Sequence, residues 1–376
     1  MTYDTFGLTS LHEFLGDCVI YRSLVPADPR LPTLDELREP LRLEGNLLPR
    51  KAEPAYGRIV AEMLRRARAL DWPGVAVQRL IYIGDTRMND GTAFQNICAA
   101  GDWPGWAFIG REEASSPPQF EVEGPLYLAN RWSLLPHFLQ FLEDQGFGLD
   151  EGTALVIDVD KTAIGARGRN DRVIDEARVE GVKRTVAHLL GPRYDEVAFR
   201  AAYDELNQPA YHPFTTDNQD YLAYVCLMLG AGLYELDALV HEIASGTMQH
   251  FIQFLEQVHE RSGELEAAGL APVHEEVARS VRAGDPTPFK AFRHNEYLTT
   301  VARFGDLPGM DTVKALALRI AITQEVRAVA LALRTRGVLV FGVSDKPDEA
   351  SLPNQAQAAA GLKPLHRMDT LAIGEA

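Results

Sequence analysis

Cysteine is scarce in this chain: Cys18, Cys98 and Cys226 are three among 376 residues, odd in number and far apart. That spacing excludes a disulfide framework and a zinc pattern, and it fits a reducing compartment. Long apolar runs are absent as well. The most apolar stretch, Tyr221 to Tyr234, is shorter than the ~20 residues a membrane-spanning helix needs and reads as a buried helix. The opening Met-Thr-Tyr-Asp lacks the basic-then-apolar profile of a secretory signal, so a cytoplasmic protein with no membrane role is expected. Positive charge is in deficit: a net charge of −16 argues against nucleic acid as a partner. It leaves room for a small anionic substrate, because a few local cations or one bound metal reverse the sign inside a cleft.

Several familiar signatures are missing too. His241-Glu242 begins like a zinc-protease helix, but position 245 is serine. His250 and His259 fall too irregularly for a ligand set. Gly230-Ala-Gly232 lacks a preceding strand and a third glycine, so it is no dinucleotide fingerprint. Arg65, Arg66 and Arg68 read as a solvated helix face.

What is present is an ordinary globular composition, 46% hydrophobic and 24% charged, with three zones. Residues 1–165 alternate helical spacing (Ala55 to Leu70, Leu134 to Gln145) with short apolar runs at Arg79 to Gly84, Trp106 to Gly110, Pro125 to Ala129 and Ala154 to Ile157. Helices alternating with unbroken apolar strands predict a Rossmann-like α/β fold, a parallel sheet covered on both faces. Residues 166–310 carry helical periodicity over 175–190, 195–206, 218–229, 235–261 and 274–283, and predict an inserted all-helical domain. Residues 311–376 return to α/β, with a long helix over 311–336, a strand at Val338 to Gly342 and a short edge strand at Thr370 to Ile373.

Four elements carry candidate chemistry. Ala154-Leu-Val-Ile-Asp-Val-Asp-Lys-Thr162 is an apolar strand whose C-terminal end presents Asp158 and Asp160 on one side. In open α/β sheets that end binds ligands, and two convergent carboxylates suit a metal and a division of labour between nucleophile and acid/base. A calcium loop also begins Asp-x-Asp, but Ala163 stands where its turn glycine belongs and Arg169 where its bidentate glutamate belongs. A polar strand-end turn is the other reading. The second element, Ile81-Tyr-Ile-Gly84-Asp85, ends a strand in a tight turn, with Asp90 following; Asp85 and Asp90 can face a metal, or Asn89 and Asp90 can cap a helix. The third is Ser344 at the end of the strand Val340-Phe-Gly-Val, a phosphate-oxygen donor or a turn serine. The fourth is Lys51, ahead of Pro54 at a first helical turn, where a cation and backbone donors can hold an anion, or a lysine can lie at the surface.

Together these residues resemble the four motifs of the haloacid dehalogenase-like phosphohydrolases. That family has a strand ending Asp-x-Asp-x-Thr, matched by Asp158, Asp160 and Thr162, and a strand ending in a hydroxyl, matched by Ser344. Its lysine is matched by Lys51, with Pro54 and Tyr56 following, and its Gly-Asp pair by Gly84, Asp85 and Asp90. The usual order is nucleophile, hydroxyl, lysine, acidic pair. Here it runs lysine, acidic pair, nucleophile, hydroxyl, a cyclic shift that reads as a circular permutation. The resemblance implies a magnesium-dependent phosphatase in which Asp158 forms an aspartyl-phosphate and Asp160 serves as acid and base. It implies a metal held by Asp158, the Asp160 carbonyl, Asp85 and Asp90, with the phosphoryl group held by Ser344, Lys51 and Thr162. It also implies that the helical zone is a cap, with Gly165 and Gly168 as hinges. The polar and aromatic 207–217 segment between helices is a candidate loop for substrate contact or a plain interhelical loop. The substrate class is a small phosphorylated metabolite. Phosphoryl transfer to another acceptor, and a non-catalytic binding or regulatory protein, are the alternatives; oligomeric state is open.

Overall fold

The computed structural model describes residues 2–45, 47–306 and 309–375. The chain divides into two units, residues 1–176 with 300–376, and Ala177–Thr299.

The first unit is α/β. Its strands are β1 (Tyr3–Thr9), β2 (Val19–Ile20), β3 (Arg79–Gly84), β4 (Gly105–Gly110) and β5 (Phe120–Glu123). They continue with β6 (Leu126–Ala129), β7 (Thr153–Asp158), β8 (Ile322–Thr323), β9 (Leu339–Val343) and β10 (Thr370–Glu375). Seven form one sheet in the order β2-β9-β7-β3-β4-β6-β5, parallel except for the antiparallel β5 edge. Every β7 residue is buried, which is why its sequence is a continuous apolar run and not an alternation. On one face, helix Pro54–Asp71 packs Tyr56, Ile59, Val60, Met63 and Leu64 into a core with Leu80, Tyr82, Val156 and Phe341. On the other, Phe138 of helix Leu135–Asp144 meets Phe108 and Tyr127. Gly57 lets the 54–71 helix touch its neighbour Asn89–Gly101: a Cβ there would lie 2.3 Å from the Asn96 carbonyl oxygen.

The remaining strands form a second sheet, β1-β10-β8, in which the first strand pairs antiparallel with the last, Tyr3 opposite Glu375. The predicted edge strand at 370–373 is therefore its middle strand. The predicted 311–336 helix is also broken. Helices Thr312–Leu318 and Gln324–Thr335 flank Arg319 to Thr323, where β-branched Ile322 and Thr323 join β10 in parallel.

The second unit is all-helical, around a core of Val182, Val186, Phe199, Tyr203, Leu222, Tyr224, Phe254 and Val258 among others. Its borders fall inside the 166–310 zone read from sequence: helix Asp171–Leu190 begins in the first unit and continues into the second. Gly165 and Gly168, with φ of +60° and +79°, lie wholly in the first unit. The expected 235–261 helix is two, Leu236–Ser245 and Phe251–Glu260, because Gly246 takes φ +77° and ends the first. The 207–217 segment is not a plain loop: it holds a 3-10 turn, Pro209–Tyr211, and a short helix, His212–Thr215.

Candidate active site

Strand register places the motif residues side by side. Asp158 ends β7 opposite Val343 of β9, so Ser344 is the next residue along that neighbour. On the other flank Ile157 pairs with Ile83 of β3, which brings Gly84 and Asp85 to the same C-terminal edge. Asp158, Asp85, Asp90, Ser344 and Lys51 are all buried.

Lys51 arrives from a loop held by its backbone. Buried Arg22 donates to the carbonyls of Pro49, at 3.0 Å, and Leu48, at 3.4 Å, and the Asn96 amide donates to the Lys51 carbonyl at 3.2 Å. So held, the Lys51 ammonium donates to Asp158 at 2.5 Å and to Asp90 at 2.9 Å. The two carboxylates and the lysine come from positions up to 107 residues apart in sequence.

Asp90 is a fully used acceptor. One oxygen takes Lys51 and the Tyr82 hydroxyl, at 3.0 Å; the other takes the Asp85 and Thr86 backbone N–H groups, at 3.1 and 2.9 Å, and the Thr86 hydroxyl, at 2.8 Å. Gly84 is the residue that admits this arrangement, since a Cβ there would sit 2.5 Å from the Asp90 Cβ. Asp90 thus orients the lysine and the 85–86 turn. Asp85 itself accepts from the Arg167 guanidinium.

The remaining predicted residues lie on the turn beyond β7. There Lys161 takes the left-handed conformation at φ +65°, and the Ala163 N–H returns to the Asp158 carbonyl at 3.2 Å. Asp160 is partly exposed, but one of its carboxylate oxygens is buried with no hydrogen-bond partner. The Thr162 hydroxyl is likewise buried and unpartnered, although the Thr162 carbonyl accepts from Thr323 at 2.5 Å. The Ser344 hydroxyl accepts from the Lys346 N–H at 3.0 Å. Lys51, Asp85, Asp90 and Asp158 are therefore linked directly or through one another, whereas, among the described residues, the side chains of Asp160, Thr162 and Ser344 make no hydrogen bond into the cluster. Buried polar groups normally find partners, so the orphans at Asp160 and Thr162 suit groups kept for a ligand or water.

Electrostatics divides the carboxylates. Burial pushes the Asp158 carboxyl well above its ordinary value, with Asp90 and Asp85 adding repulsion against the pull of Lys51. Burial with Asp90 alongside pushes Asp85 up to about 7, Arg167 opposing. Asp90 moves the other way: Lys51 and its hydrogen bonds outweigh burial and hold it well below the usual range. Lys51 stays charged, because the two carboxylates outweigh its burial. Asp85, Asp90 and Asp158 each offer an oxygen within 4.8 Å of the other two. Three acids stand against one ammonium and one guanidinium, and an all-oxygen donor set fits a hard divalent cation without singling out magnesium. A cavity of about 530 Å³ opens beside Asp85, lined by Arg87, Arg111, Glu113 and Glu121 among others.

Sequence reasoning missed Tyr82, Asn96, Arg22 and Arg167. Only Tyr82 left a signal, since a tyrosine inside a buried strand needs a partner for its hydroxyl. The others act from elsewhere in the chain. No protein-family model, curated protein or solved structure matches this chain.

Proposed function

We propose that the chain is a divalent-cation-dependent phosphohydrolase acting on a small phosphomonoester, with Asp158 as nucleophile. The observation that carries this reading is the Lys51–Asp158–Asp90 contact at the C-terminal edge of three adjacent parallel strands, with Asp85 beside it. Asp158 attacks phosphorus in line, forming an aspartyl-phosphate as the ester P–O bond breaks, and Asp160 gives its proton to the departing oxygen. Asp160 then takes a proton from water, whose oxygen attacks phosphorus and frees Asp158 and inorganic phosphate. Lys51 offsets the repulsion between a carboxylate and a phosphate dianion. Asp158 and Asp85, with the Asp160 carbonyl, would hold the cation, which when bound supplies further positive charge; Asp90 positions Lys51 and Asp85. Ser344 and Thr162 would bind phosphoryl oxygens. Asp160 supports phosphate chemistry over dehalogenation, which has no use for a second acid.

Kinship with the haloacid dehalogenase-like family, in circularly permuted form, is part of the proposal. It is supported by the neighbouring placement of strands that lie far apart in sequence and by the pairing of β1 with β10, which makes such a rearrangement sterically simple. Substrate selection is assigned to the helical unit, on the ground of its place in the chain between Asp158 and Ser344. The test is a screen of phosphomonoesters with magnesium, run beside Asp158→Asn and an EDTA control. Phosphate release that both abolish is expected; release surviving in Asp158→Asn would overturn the mechanism.

A further inference from the structure

Arg167 lies outside all four motifs, yet its backbone is fastened at both ends. Its N–H donates to the Lys161 carbonyl at 2.8 Å, and its carbonyl accepts from the Glu112 N–H at 2.9 Å and the Trp132 indole at 3.3 Å. Gly168 follows at φ +79°, where a Cβ would lie 2.2 Å from the Glu112 carbonyl oxygen, so this close approach needs a glycine. Arg169, two residues on, turns its guanidinium into a separate buried cluster, donating to Glu112 at 2.7 Å and to Glu325 at 2.8 and 2.9 Å. Arg167 is the one of the pair aimed at Asp85, and its side chain is 36% exposed while that of Asp85 is 6% exposed. The backbone is fixed and the side chain reaches solvent, so the guanidinium can leave Asp85 by rotation without moving the loop.

We infer that Arg167 is the resident countercharge of the Asp85 position and gives way to the divalent cation, so that arginine and metal compete for one carboxylate. The inference rests on the metal-binding part of the proposed function. Its physical basis is that three clustered buried carboxylates, only two of them in contact with Lys51 among the described residues, are costly, and removing a partner from a buried pair leaves charge uncompensated. An arginine at a partly exposed position offsets that cost in the metal-free protein and is weak enough to be displaced. Arg167 is thereby a positioning residue, acting through Asp85.

The competition sets two properties in opposite directions. Arg167→Gln keeps a polar side chain and removes the charge. Its thermal midpoint in EDTA should fall below that of the natural protein, while magnesium chloride alone should raise it by more. Calorimetric titration with magnesium chloride should give a Kd about fivefold lower in the variant, the size expected for losing one partly exposed ion pair. Arg167→Lys, whose ammonium lacks the planar fork, should bind magnesium more tightly than the natural protein by a smaller factor; it carries the same test where Arg167→Gln does not fold. Equal or weaker binding in the variants, with measurable binding in the natural protein, overturns the inference and leaves the proposed function standing. No magnesium-dependent shift in any of the proteins overturns both. Failure of every phosphomonoester in the activity screen, with tighter magnesium binding in Arg167→Gln, overturns the proposed reaction and supports the inference.

Discussion

In the helical unit, buried Arg293 lies between two carboxylates, donating to Asp220 at 2.8 Å and to Glu296 at 2.7 Å, while the Phe289 N–H also serves Asp220 at 3.0 Å. Arg178 also approaches Glu296, at 3.4 Å. In the α/β unit, Asp90 and Asp158 share Lys51 while neighbouring Asp85 takes Arg167, and buried oxygens of Asp160 and Thr162 on the following turn have no partner among the described residues. Both clusters are buried and both are costly in desolvation. The first gives each acid a basic partner and ties helix Gln219–Gly230 to helix Lys290–Val301. The second has more acids than bases and buried oxygens without a partner, which is what the proposed ligand site requires.

The contrast is broken most sharply at Asp158. Asp158→Asn should lower phosphatase turnover by about 10⁴-fold or more, as expected for loss of a nucleophile. Its unfolding temperature in EDTA should be unchanged or higher, because the substitution removes a carboxyl whose ionised form is disfavoured by burial and by Asp90 and Asp85. Lost turnover with a lower midpoint would place Asp158 in the same structural class as Asp220. Arg293→Met should behave in the reverse manner, destabilising the protein by about 3–5 kcal/mol in urea titrations, because Asp220 and Glu296 lose a buried partner. A cost under about 1 kcal/mol would mean that Arg293 does not hold these helices together.

These two clusters also differ in how much of each was legible beforehand. Lys51 stands out by its place just ahead of Pro54 at a first helical turn. Asp158, Asp85 and Ser344 stand out because a parallel sheet collects its functional groups at strand ends, and an unbroken apolar run followed by a polar residue marks such an end. Strand β3 was read at its observed bounds for the same reason. Nothing comparable announces Asp220 and Arg293, which are 73 residues apart within helices whose local pattern is satisfied without them. Helix Lys290–Val301 was itself overlooked. Arg167 was hidden likewise, its partner Asp85 being 82 residues away. Strand β1 left no signal because most of its residues are exposed and it has a register shift between Thr5 and Leu8; only its partner β10 defines it. The break at 319–323 was invisible because the flanking helical periodicity runs in phase across it.

A smaller effect is expected at Gly84. Gly84→Ala would push a methyl into the Asp90 Cβ at 2.5 Å, and overpacking of this kind costs about 1–3 kcal/mol. The displaced Asp90 would loosen Lys51 as well, so magnesium-dependent turnover should fall further than stability. Equal losses in the two measurements would reduce Gly84 to a packing residue.

The smallest effect compares a tyrosine–histidine pair in each unit. In the α/β unit the Tyr21 hydroxyl meets His366 at 3.2 Å, and the opposite ring nitrogen faces Asp17 at 3.1 Å. In the helical unit the Tyr224 hydroxyl meets His274 at 2.6 Å, and the opposite nitrogen faces His259 at 3.0 Å. Burial holds both histidines below their ordinary value of 6.5; Asp17 counters this at His366, whereas His259 and Arg282 reinforce it at His274. The unfolded chain therefore binds a proton at each position before the folded chain does. Each contributes stability that is present above pH 6.5 and lost as pH falls through its folded-state value, by less than about 1.4 kcal/mol per pH unit for one proton. Between pH 7 and pH 5 the loss should be steeper at His274, where protonation meets a second imidazole instead of a carboxylate. Unfolding midpoints recorded across that range should flatten more in His274→Gln than in His366→Gln. The opposite ranking would show that the carboxylate at Asp17, not the imidazole at His259, governs acid sensitivity.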